Sequence, residues 1–425
     1  MTTPSTPKVA ILGAGPGGCM LARLLNQHSI PCTIFESEAS IDYRSQGGSL
    51  DLRSTTGLAT IKAAGLWTEF QKQARYDGES LLITDKKLTT WMRRRAYKGR
   101  KVNNLQEAPE IDRAVLRRIL MESLPQGIVR WNHHLTHITT PADSSPVLHF
   151  RNGAIESGYD LIVGADGAFS KVRSVLSDVK PFHSGYGGYW LTLPSVPTTS
   201  PALDKLVNKG NVFAYSDHIN LNGQQLGHNN DLSISLVSPR AEDWTKTSGF
   251  DPTDLESAKK DMLQLLDGWD PLLLDLVKHA QGPVMARNLY MLPVGFTFPH
   301  KRGITLLGDA AHLMTPFAGI GVNSAFYDAM LLSDAIVSSI NDTTTNPDKL
   351  DKHVQEYETK MLAHGKAGQA LTWNSMEALM MTSGAPRQGI ERWLLGHLRE
   401  EVPVWSRGIL SAVVYVGYFF YKMFV

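Results

Sequence analysis

The segment ILGAGPGGCM, residues 11–20, places four glycines directly behind a short apolar stretch. Residues 9–12 are predicted to form a buried strand, and the apolar spacing of residues 18–28 predicts a helix. Residues 32–35 are predicted to form a second strand. Because glycine is the costliest residue to order, this density indicates that something approaches the backbone closely at the turn. Together these elements predict the βαβ start of an α/β nucleotide-binding domain.

Three of the glycines form a GxGxxG pattern at the strand-to-helix turn. Gly13 permits the tight turn, Gly15 lets the backbone approach a pyrophosphate, and Gly18 lets the helix pack close to the strand. The amino terminus of the helix adds unpaired N–H groups and the positive end of its dipole. Glu36 ends the second strand, where a carboxylate can bind the ribose hydroxyls of NAD or FAD. The alternative is a tight turn with incidental glycines.

The composition argues against several other function classes. The 425 residues carry a net charge of +1, so no strong field indicates a nucleic-acid partner. The two cysteines, Cys19 and Cys32, lack metal-binding spacing, and no metal site is predicted. Both thiols fall in the first βαβ unit, where we expect them to be reduced, buried and inert, as in an intracellular enzyme.

Two later segments also contain a strand that ends in a turn with glycine and aspartate. In residues 158–173 a predicted strand is followed by Asp166 and Gly167. In residues 302–336 another strand ends at a Gly-Asp pair that contains Asp309, before a glycine-rich loop and a long helix. The amino terminus of that helix is a favourable place for an electron-rich ring edge.

The order of these three motifs over residues 8–340 resembles that of the class A FAD-dependent monooxygenases, the aromatic-hydroxylase-like flavoproteins. The segments QGGSLDLRSTTGLATIKAAGL, residues 46–66, and PEIDRAVLRRIL, residues 109–120, are similar to the tetracycline-inactivating flavin monooxygenases and to related fungal biosynthetic epoxidases and hydroxylases. The resemblance implies an α/β fold. It consists of a Rossmann-like FAD-binding domain of the p-hydroxybenzoate-hydroxylase type, an inserted antiparallel-sheet substrate domain and a C-terminal helical region.

The resemblance also implies a role for each matching residue. Glu36 would bind the adenosine ribose, Arg113 would reach the FAD, and Asp309 would bind the ribityl hydroxyls. The implied cofactor-binding residues are Gly13, Gly15, Gly18, Glu36, Arg113, Asp166, Gly167, Asp309, Gly321, Val322 and Asn323. The positions implied beside the isoalloxazine and the reacting carbon are Pro316, Gly319 and Gly321. Taken alone, Arg113 is also compatible with a surface helix position, and Asp309 with a helix cap.

The segment between the second and third motifs has the pattern of a sheet. Strands are predicted at residues 187–194, 211–217 and 231–238, and a helix at residues 255–269. We therefore predict an FAD-binding domain of residues 1–180 and 286–345, a substrate-binding sheet domain of residues 181–285, and C-terminal helices in residues 346–425. The candidate substrate-contacting residues are Tyr189, Phe213, Tyr215, His228 and Phe317, and each is also compatible with a core or surface position.

The function that these features predict is that of an FAD-dependent monooxygenase. As the resemblance implies, the enzyme would use NAD(P)H and O2 to hydroxylate or epoxidise a hydrophobic, electron-rich small molecule through a flavin C4a-hydroperoxide. The substrate would be an aromatic, polyketide, alkaloid or terpenoid-like compound, and the enzyme would act as a monomer. A second hypothesis is a flavin oxidase, dehydrogenase or halogenase, although the Trp-x-Trp-x-Ile-Pro motif of halogenases is absent. A third is a non-catalytic FAD-binding protein.

The segment of residues 409–425 is apolar except for Lys422. Seventeen helical residues extend roughly 25 Å, somewhat less than the ~30 Å hydrocarbon core of a bilayer. The segment is compatible with a helix buried between domains or in an oligomer, and with a short membrane anchor. Its nearly complete lack of a polar face favours membrane association, so we expect an enzyme that is cytoplasmic or membrane-associated through this tail.

Overall fold

The computed structural model describes residues 6–41, 47–95, 108–141, 145–227, 229–344, 346–399 and 402–425. The strands are β1 Val9–Leu12, β2 Cys32–Phe35, β3 Ser49–Asp51, β4 Leu81–Thr84, β5 Thr90–Arg94, β6 Glu110–Asp112, β7 Val129–Arg130, β8 Leu135–Thr139, β9 Val147–Phe150, β10 Ile155–Glu156, β11 Leu161–Gly164, β12 Phe182–Leu193, β13 Asn211–Ser216, β14 Ile219–Gln225, β15 Leu232–Pro239, β16 Gln281–Met291 and β17 Ile304–Leu306.

The α-helices are α1 Pro16–Gln27, α2 Gly57–Ala63, α3 Trp67–Gln73, α4 Arg113–Glu122, α5 Arg173–Leu176, α6 Val196–Thr199, α7 Pro201–Val207, α8 Trp244–Thr247, α9 Leu255–Leu265, α10 Pro271–Lys278, α11 Asp309–His312, α12 Gly321–Asn341, α13 Lys349–Met376, α14 Ile390–Leu398 and α15 Arg407–Tyr421. Short 3-10 turns cover Asp77–Glu79, Pro316–Ala318 and Val404–Ser406, and a π-helical turn, Glu377–Met381, extends α13.

A five-stranded parallel sheet forms the nucleotide-binding half of the fold, in the order β17-β11-β1-β2-β7. Strands β1, β11 and β17 are buried along their whole length, as expected for a parallel sheet covered on both faces. The helix α1 packs its apolar side against this sheet and against α12. The predicted α/β class and the βαβ unit at residues 9–35 are therefore confirmed.

The order of this sheet brings the three sequence motifs together. Strands β1, β11 and β17 are neighbours and run in the same direction, so their carboxyl ends lie at one edge. In open parallel sheets, ligands bind beyond this edge. The turns that follow the three strands carry the GxGxxG, Asp-Gly and Gly-Asp motifs.

A second, seven-stranded sheet has the order β16-β12-β15-β14-β13-β4-β5 and is antiparallel except for the pair β13 and β4. It includes the strands predicted near residues 187–194, 211–217 and 231–238. It also includes β14, which the sequence analysis did not predict, and β4 and β5, which precede the rest of the sheet by roughly a hundred residues along the chain.

The two faces of the seven-stranded sheet have different partners. One face packs against α7, α9 and α10 through a core that includes Leu221, Ile234 and Leu276. The opposite face packs against the end of α13 and against α14, through residues that include Met376 and Trp393. Because side chains alternate along a strand, β12, β13 and β15 contribute to both cores.

The C-terminal region is helical, with a break between Met381 and Ile390. The last helix, α15, has 15 residues, of which only Val414 is buried. Its inner side contacts the sheet, because the Tyr418 hydroxyl donates a hydrogen bond to the Trp91 carbonyl (2.7 Å) and the Tyr421 hydroxyl donates one to the Thr90 carbonyl.

The outward side of α15 is apolar and exposed, and it includes Ile409, Val413 and Phe419. Among the described residues, no helix combines the length and the apolar character needed to cross a bilayer. The expectation of a membrane anchor in residues 409–425 is therefore not supported. Burial of this helix between domains of the same chain is also contradicted, because α15 lies on the surface.

Candidate functional site

The glycines of the turn after β1 have two different roles. Gly13 has a φ of +109°, and a Cβ there would overlap the Ala165 carbonyl of the neighbouring turn. A Cβ on Gly18 would overlap the Gly13 carbonyl, so these two glycines let the backbone segments pack closely. A Cβ on Gly15, in contrast, would meet no protein atom within 4 Å. The space in front of Gly15 is therefore open to a ligand, and the helix N–H groups behind it suit a phosphate.

Glu36 lies at the end of β2 beside this turn and is buried. Its Oε2 accepts a hydrogen bond from the Ala14 N–H (2.6 Å), and its Oε1 accepts from the Glu38 N–H and the Ser37 hydroxyl (both 2.9 Å). These bonds fix the carboxylate against the glycine-rich turn. The Oε2 atom, which accepts only one of these bonds, retains a second lone pair for a ligand hydroxyl.

The turn after β11 is held by its own aspartate and by a buried arginine. Asp166 accepts hydrogen bonds from the N–H groups of Lys171 (2.7 Å) and Val172 (3.3 Å), and burial raises the pKa of its carboxyl. Arg173 donates to the carbonyls of Ala168 (2.6 Å) and Ala310 (3.0 Å), and therefore ties this turn to the one after β17. Gly167 has a φ of +77°, with open space where a Cβ would lie.

Asp309 and Arg113 approach one another from separate parts of the chain. Asp309 begins α11 directly after β17, and Arg113 begins α4, where its N–H donates to the Gly48 carbonyl (3.1 Å). Both side chains are accessible to solvent, yet desolvation by surrounding protein raises the pKa of the Asp309 carboxyl. The charges of His312, Arg113 and Arg173 act in the opposite direction. A cation and a carboxylate thus lie beside the same open edge of the sheet.

The loop between α11 and α12 completes this edge. It contains the turn Pro316–Ala318 and Gly319, whose φ is +64°, and it leads into the 21-residue helix α12 at Gly321. A Cβ on Gly321 would meet no protein atom within 4 Å. Gly321 therefore borders open space at the positive end of a long helix.

Asn323 has a structural role that the sequence analysis did not predict. Its Oδ1 accepts from the Arg53 N–H (2.8 Å) and its Nδ2 donates to the Asp51 carbonyl (2.8 Å). The Arg53 guanidinium donates in turn to the Ala318 carbonyl (3.0 Å). Asp51 and Arg53 thus join the 47–53 segment to the loop around Gly319, although the sequence analysis quoted that segment only for its resemblance.

The predicted substrate-contacting residues divide between the two faces of the seven-stranded sheet. Phe213, Tyr215 and Phe317 belong to one apolar cluster on the face toward α13, so the loop before α12 reaches this face. Burial raises the pKa of the Tyr215 hydroxyl. Trp190, which the sequence analysis missed, lies in the same cluster, and its ring is covered by the Arg287 guanidinium at 4.7 Å.

Tyr189 belongs to the opposite face, which corrects its sequence-based assignment. It is fully buried in the core that packs on α9 and α10, and its hydroxyl donates to Asp261 (2.8 Å). Its ring meets the Trp244 ring edge-on. Neighbouring residues of a strand face opposite sides of the sheet, so Trp190 faces the side toward α13, in the same cluster as Phe213 and Phe317. The remaining candidate, His228, lies outside the described residues.

The comparisons with known proteins agree with this arrangement. The family described as FAD binding domain matches residues 6–265 and 294–367 of this chain. Monooxygenase penA of Penicillium thymicola is 30% identical over 442 residues, which cover 92% of this chain and 99% of penA. This chain belongs to the family of FAD-binding monooxygenases.

Two solved structures show that the fold of this monooxygenase extends to distant relatives. Klebsiella pneumoniae HpxO complexed with FAD and uric acid matches with a TM-score of 0.74 at 17% identity, over 97% of this chain and 98% of HpxO. The tetracycline destructase Tet(51) matches with a TM-score of 0.65 at 16% identity, over 93% of this chain and 97% of its own. The resemblance that the sequence motifs carried is thereby confirmed.

The protein backbone at the monooxygenase site leaves room for FAD. Gly15, Gly167 and Gly321 stand on the three converging segments, and each would direct a Cβ into open space. The Asp309 carboxylate faces the same edge with no hydrogen-bond partner among the described residues. A dinucleotide needs close backbone approach at its diphosphate and hydrogen-bond acceptors for its hydroxyls, and this edge offers both.

A buried ion pair supports the Gly-Asp turn of the monooxygenase from behind. The His312 Nε2 lies 2.6 Å from the Asp328 Oδ2, which also accepts from the Gly308 N–H (2.8 Å). The charge of Asp328 and its hydrogen bond raise the pKa of His312 in spite of burial, which acts in the opposite direction. The pair therefore fixes the turn that presents Asp309.

The remaining expectations concern thiols and metals. Cys19 is buried and Cys32 half-buried, both are free thiols, and burial raises the pKa of each to about 12. Such thiols hold their protons at neutral pH, so they are inert, as expected. Within the described ranges, no group of three or more His, Cys, Asp or Glu side chains could hold a metal ion.

Proposed function

We propose that this monooxygenase uses NAD(P)H and O2 to hydroxylate or epoxidise a hydrophobic, electron-rich small molecule. The single observation that carries the proposal is the convergence of three turns at one sheet edge, with open space before Gly15, Gly167 and Gly321. An adjacent apolar surface, which includes Phe213 and Phe317, supports an apolar substrate.

In this proposal the cofactor is held mainly by residues of the 1–180 and 286–345 segments. Gly15 and the amino terminus of α1 receive the diphosphate, and Glu36 receives the adenosine ribose. Asp309 accepts hydrogen bonds from the ribityl hydroxyls, and Arg113 contributes a positive charge nearby. When bound and reduced by NAD(P)H, FAD supplies the activation of O2 that no side chain can provide.

The protein contributes position and exclusion of water. Pro316, Gly319 and Gly321 offer no proton-transferring side chain, so their part in the reaction is to bring the backbone close to the flavin ring and to place the reacting carbon beside it. Phe213, Tyr215 and Phe317 would cover the substrate and keep water out of the cavity. The 181–285 segment would then serve chiefly as the substrate-binding wall. The need for NAD(P)H and the free thiols favour an intracellular location.

The test uses the full-length protein purified with FAD and a panel of lipophilic aromatic and isoprenoid-like compounds. Oxidation of NADPH and of NADH is measured in parallel with incorporation of 18O from labelled O2 into each compound. We expect a subset of compounds to accelerate oxidation of the nicotinamide and to gain one labelled oxygen atom. Flavin reduction with hydrogen peroxide as the only oxygen product across the panel would instead indicate an oxidase.

A further inference from the structure

The face of the seven-stranded sheet that lies toward α13 carries a patch of uncharged polar side chains. Asn220, Asn222 and Gln224 alternate along β14 with residues that face the opposite core, and Ser233 and Ser235 do the same on β15. In the antiparallel register Asn222 lies opposite Ser235, and Gln224 lies opposite Ser233. We call these five residues the amide face.

Contacts with the cofactor-binding half show which way the amide face points. The Gln224 Oε1 accepts a hydrogen bond from the Ser49 N–H (3.0 Å), and a Cβ on Gly48 would lie 3.6 Å from Gln224 Oε1 and 4.0 Å from Ser233 Oγ. The Gly48 carbonyl accepts from the Arg113 N–H. The amide face therefore lies next to the segment that also contacts the loop around Gly319.

Aromatic side chains flank the centre of the amide face. The register Phe213–Asn222–Ser235–Trp190 forms one row across four adjacent strands. Phe213 and Trp190 are both half-buried and stand in the same apolar cluster as Phe317 of the loop before α12. A flat ring placed over this row would have an aromatic neighbour at each end and hydrogen-bonding groups beneath it.

One atom at the centre of this row lacks a partner. The Asn222 Nδ2 donates to the Ser235 hydroxyl (3.2 Å), but the buried Asn222 Oδ1 finds no hydrogen-bond partner among the residues that the structure describes. A buried acceptor without a donor is unfavourable, so a ligand that brings an N–H or O–H group gains from meeting it. An anionic ligand would bring a second acceptor instead of a donor to the Asn222 Oδ1, and the guanidinium of Arg287 at the end of this row is stacked on the Trp190 ring.

We propose that the amide face selects a neutral, planar aromatic substrate with an N–H or O–H donor on its edge, held by Asn222 and Ser235 between Phe213 and Trp190. This inference rests on the proposed function, because it takes the cavity over this face as the substrate site. Asn222 acts in binding, and the oxygen-transferring chemistry does not involve it.

The probes are 2-naphthol, naphthalene and 2-naphthoate, which share one ring system and differ in donor and charge. Their dissociation constants are measured without NAD(P)H from the change in the absorption spectrum of FAD in the full-length holoenzyme. We expect 2-naphthol to bind about tenfold more tightly than naphthalene, which corresponds to one hydrogen bond, and 2-naphthoate to bind most weakly.

The variant Asn222→Leu keeps the approximate size of the side chain and removes its hydrogen bonds. We expect the preference for 2-naphthol over naphthalene to fall below about threefold, with FAD content and thermal unfolding unchanged. Asn341→Leu, at an exposed position at the end of α12, is the matched control and should keep the full preference. With any probe that is turned over, Asn222→Leu should raise KM and leave kcat nearly unchanged.

Equal affinities for 2-naphthol and naphthalene, tightest binding of 2-naphthoate, or no binding of any probe would overturn this inference, as would an unchanged preference in Asn222→Leu. A failure of the proposed function would give a different experimental result. Suppose that the probes bind in the expected order and that binding depends on Asn222, but no compound of the panel gains labelled oxygen. The assignment of the binding site would then stand, and the proposed monooxygenation would be contradicted.

Discussion

The turn after β1 and the amide face on β14 and β15 present two contrasting ways to build a binding surface. At the turn, the backbone itself forms the surface, and Gly13, Gly15 and Gly18 act by lacking side chains. At the amide face, the backbone is an ordinary antiparallel ladder, and the side chains of Asn222 and Ser235 form the surface. A backbone-defined site constrains residue types tightly, whereas a side-chain-defined site can change its ligand with single substitutions.

The largest expected effect comes from replacing Gly13, because its backbone conformation and close packing do not tolerate a side chain. Gly13→Ala places a Cβ against the Ala165 carbonyl at a φ of +109°. We expect the free energy of unfolding to fall by about 4 kcal/mol or more, measured by urea denaturation. Gly153→Ala is the control, because Gly153 has a φ of +85° but open space around it, and it should lose only ~1 to 2 kcal/mol. Similar losses in the two variants would contradict the assigned close packing.

The variant Gly15→Val tests whether the same turn binds the diphosphate of FAD. Gly15 has an extended backbone, with φ −69° and ψ 172°, and a Cβ there points into open space. We expect normal folding but more than about tenfold weaker FAD binding, because the isopropyl group occupies the space of the diphosphate. The ratio of flavin to protein absorbance after purification measures this, and Gly15→Ala should give an intermediate value. Full FAD content in the valine variant would refute the assignment of this loop.

Asp309→Ala removes the carboxylate that is expected to bind the ribityl hydroxyls at this mainly backbone-defined site. Loss of charged hydrogen bonds of about 1.5 to 3 kcal/mol predicts a dissociation constant for FAD that is ~10- to 100-fold higher. Titration of the stripped protein with FAD, followed by flavin fluorescence, measures the change. Asp178→Ala, at an exposed position, is the control. An unchanged affinity in Asp309→Ala would show that the ribityl contact lies elsewhere.

Tyr189→Phe tests which face of the seven-stranded sheet binds substrate. The variant loses the hydrogen bond to Asp261, so the free energy of unfolding should fall by ~1 kcal/mol while KM stays unchanged. Phe213→Leu, on the other face, should raise KM with little loss of stability. If Tyr189→Phe altered KM and Phe213→Leu did not, the substrate-binding role would have been assigned to the wrong face of the sheet.

The smallest expected effect is a pH dependence far from both surfaces. His300 lies between Glu358 (2.7 Å) and Asp351 (3.1 Å), and although burial acts to lower its pKa, these carboxylates together raise it. The stabilisation is therefore complete below the ordinary pKa of about 6.5 and is lost as the pH rises through the raised value.

The variant His300→Gln tests this pH dependence. The difference in unfolding free energy between wild type and His300→Gln should be less than about 1 kcal/mol at low pH, because the pair is partly exposed. It should shrink as the pH rises through the raised pKa of His300. Urea denaturation at a series of pH values measures it, and a difference that does not vary with pH would contradict the role of the ion pair.

The sequence predicts the two surfaces to different degrees, for a physical reason. Gly15 and Asp309 follow the carboxyl ends of β1 and β17, which flank β11 in one parallel sheet, and motif order alone indicates that such ends lie at the same edge. Asn222 lies on a strand that the sequence analysis missed, because INLNGQQ is rich in amides and glycine, which have low strand propensity. Because side chains alternate along a strand, Tyr189 and Trp190 face opposite ways, and only the packing of α9 and α13 on the two sides of the sheet shows which of them lies in the cluster with Phe213 and Phe317.

The docking of α15 on β5 has a consequence for how this protein behaves under stress. Among the described strands β5 is the outermost of its sheet, and the hydroxyl groups of Tyr418 and Tyr421 donate hydrogen bonds to two of its main-chain carbonyls. An uncovered outermost strand is a template onto which another polypeptide can add. Conditions that detach α15 would thus unmask both this template and the apolar inner side of the helix, so self-association would start here while the rest of the sheet is still folded.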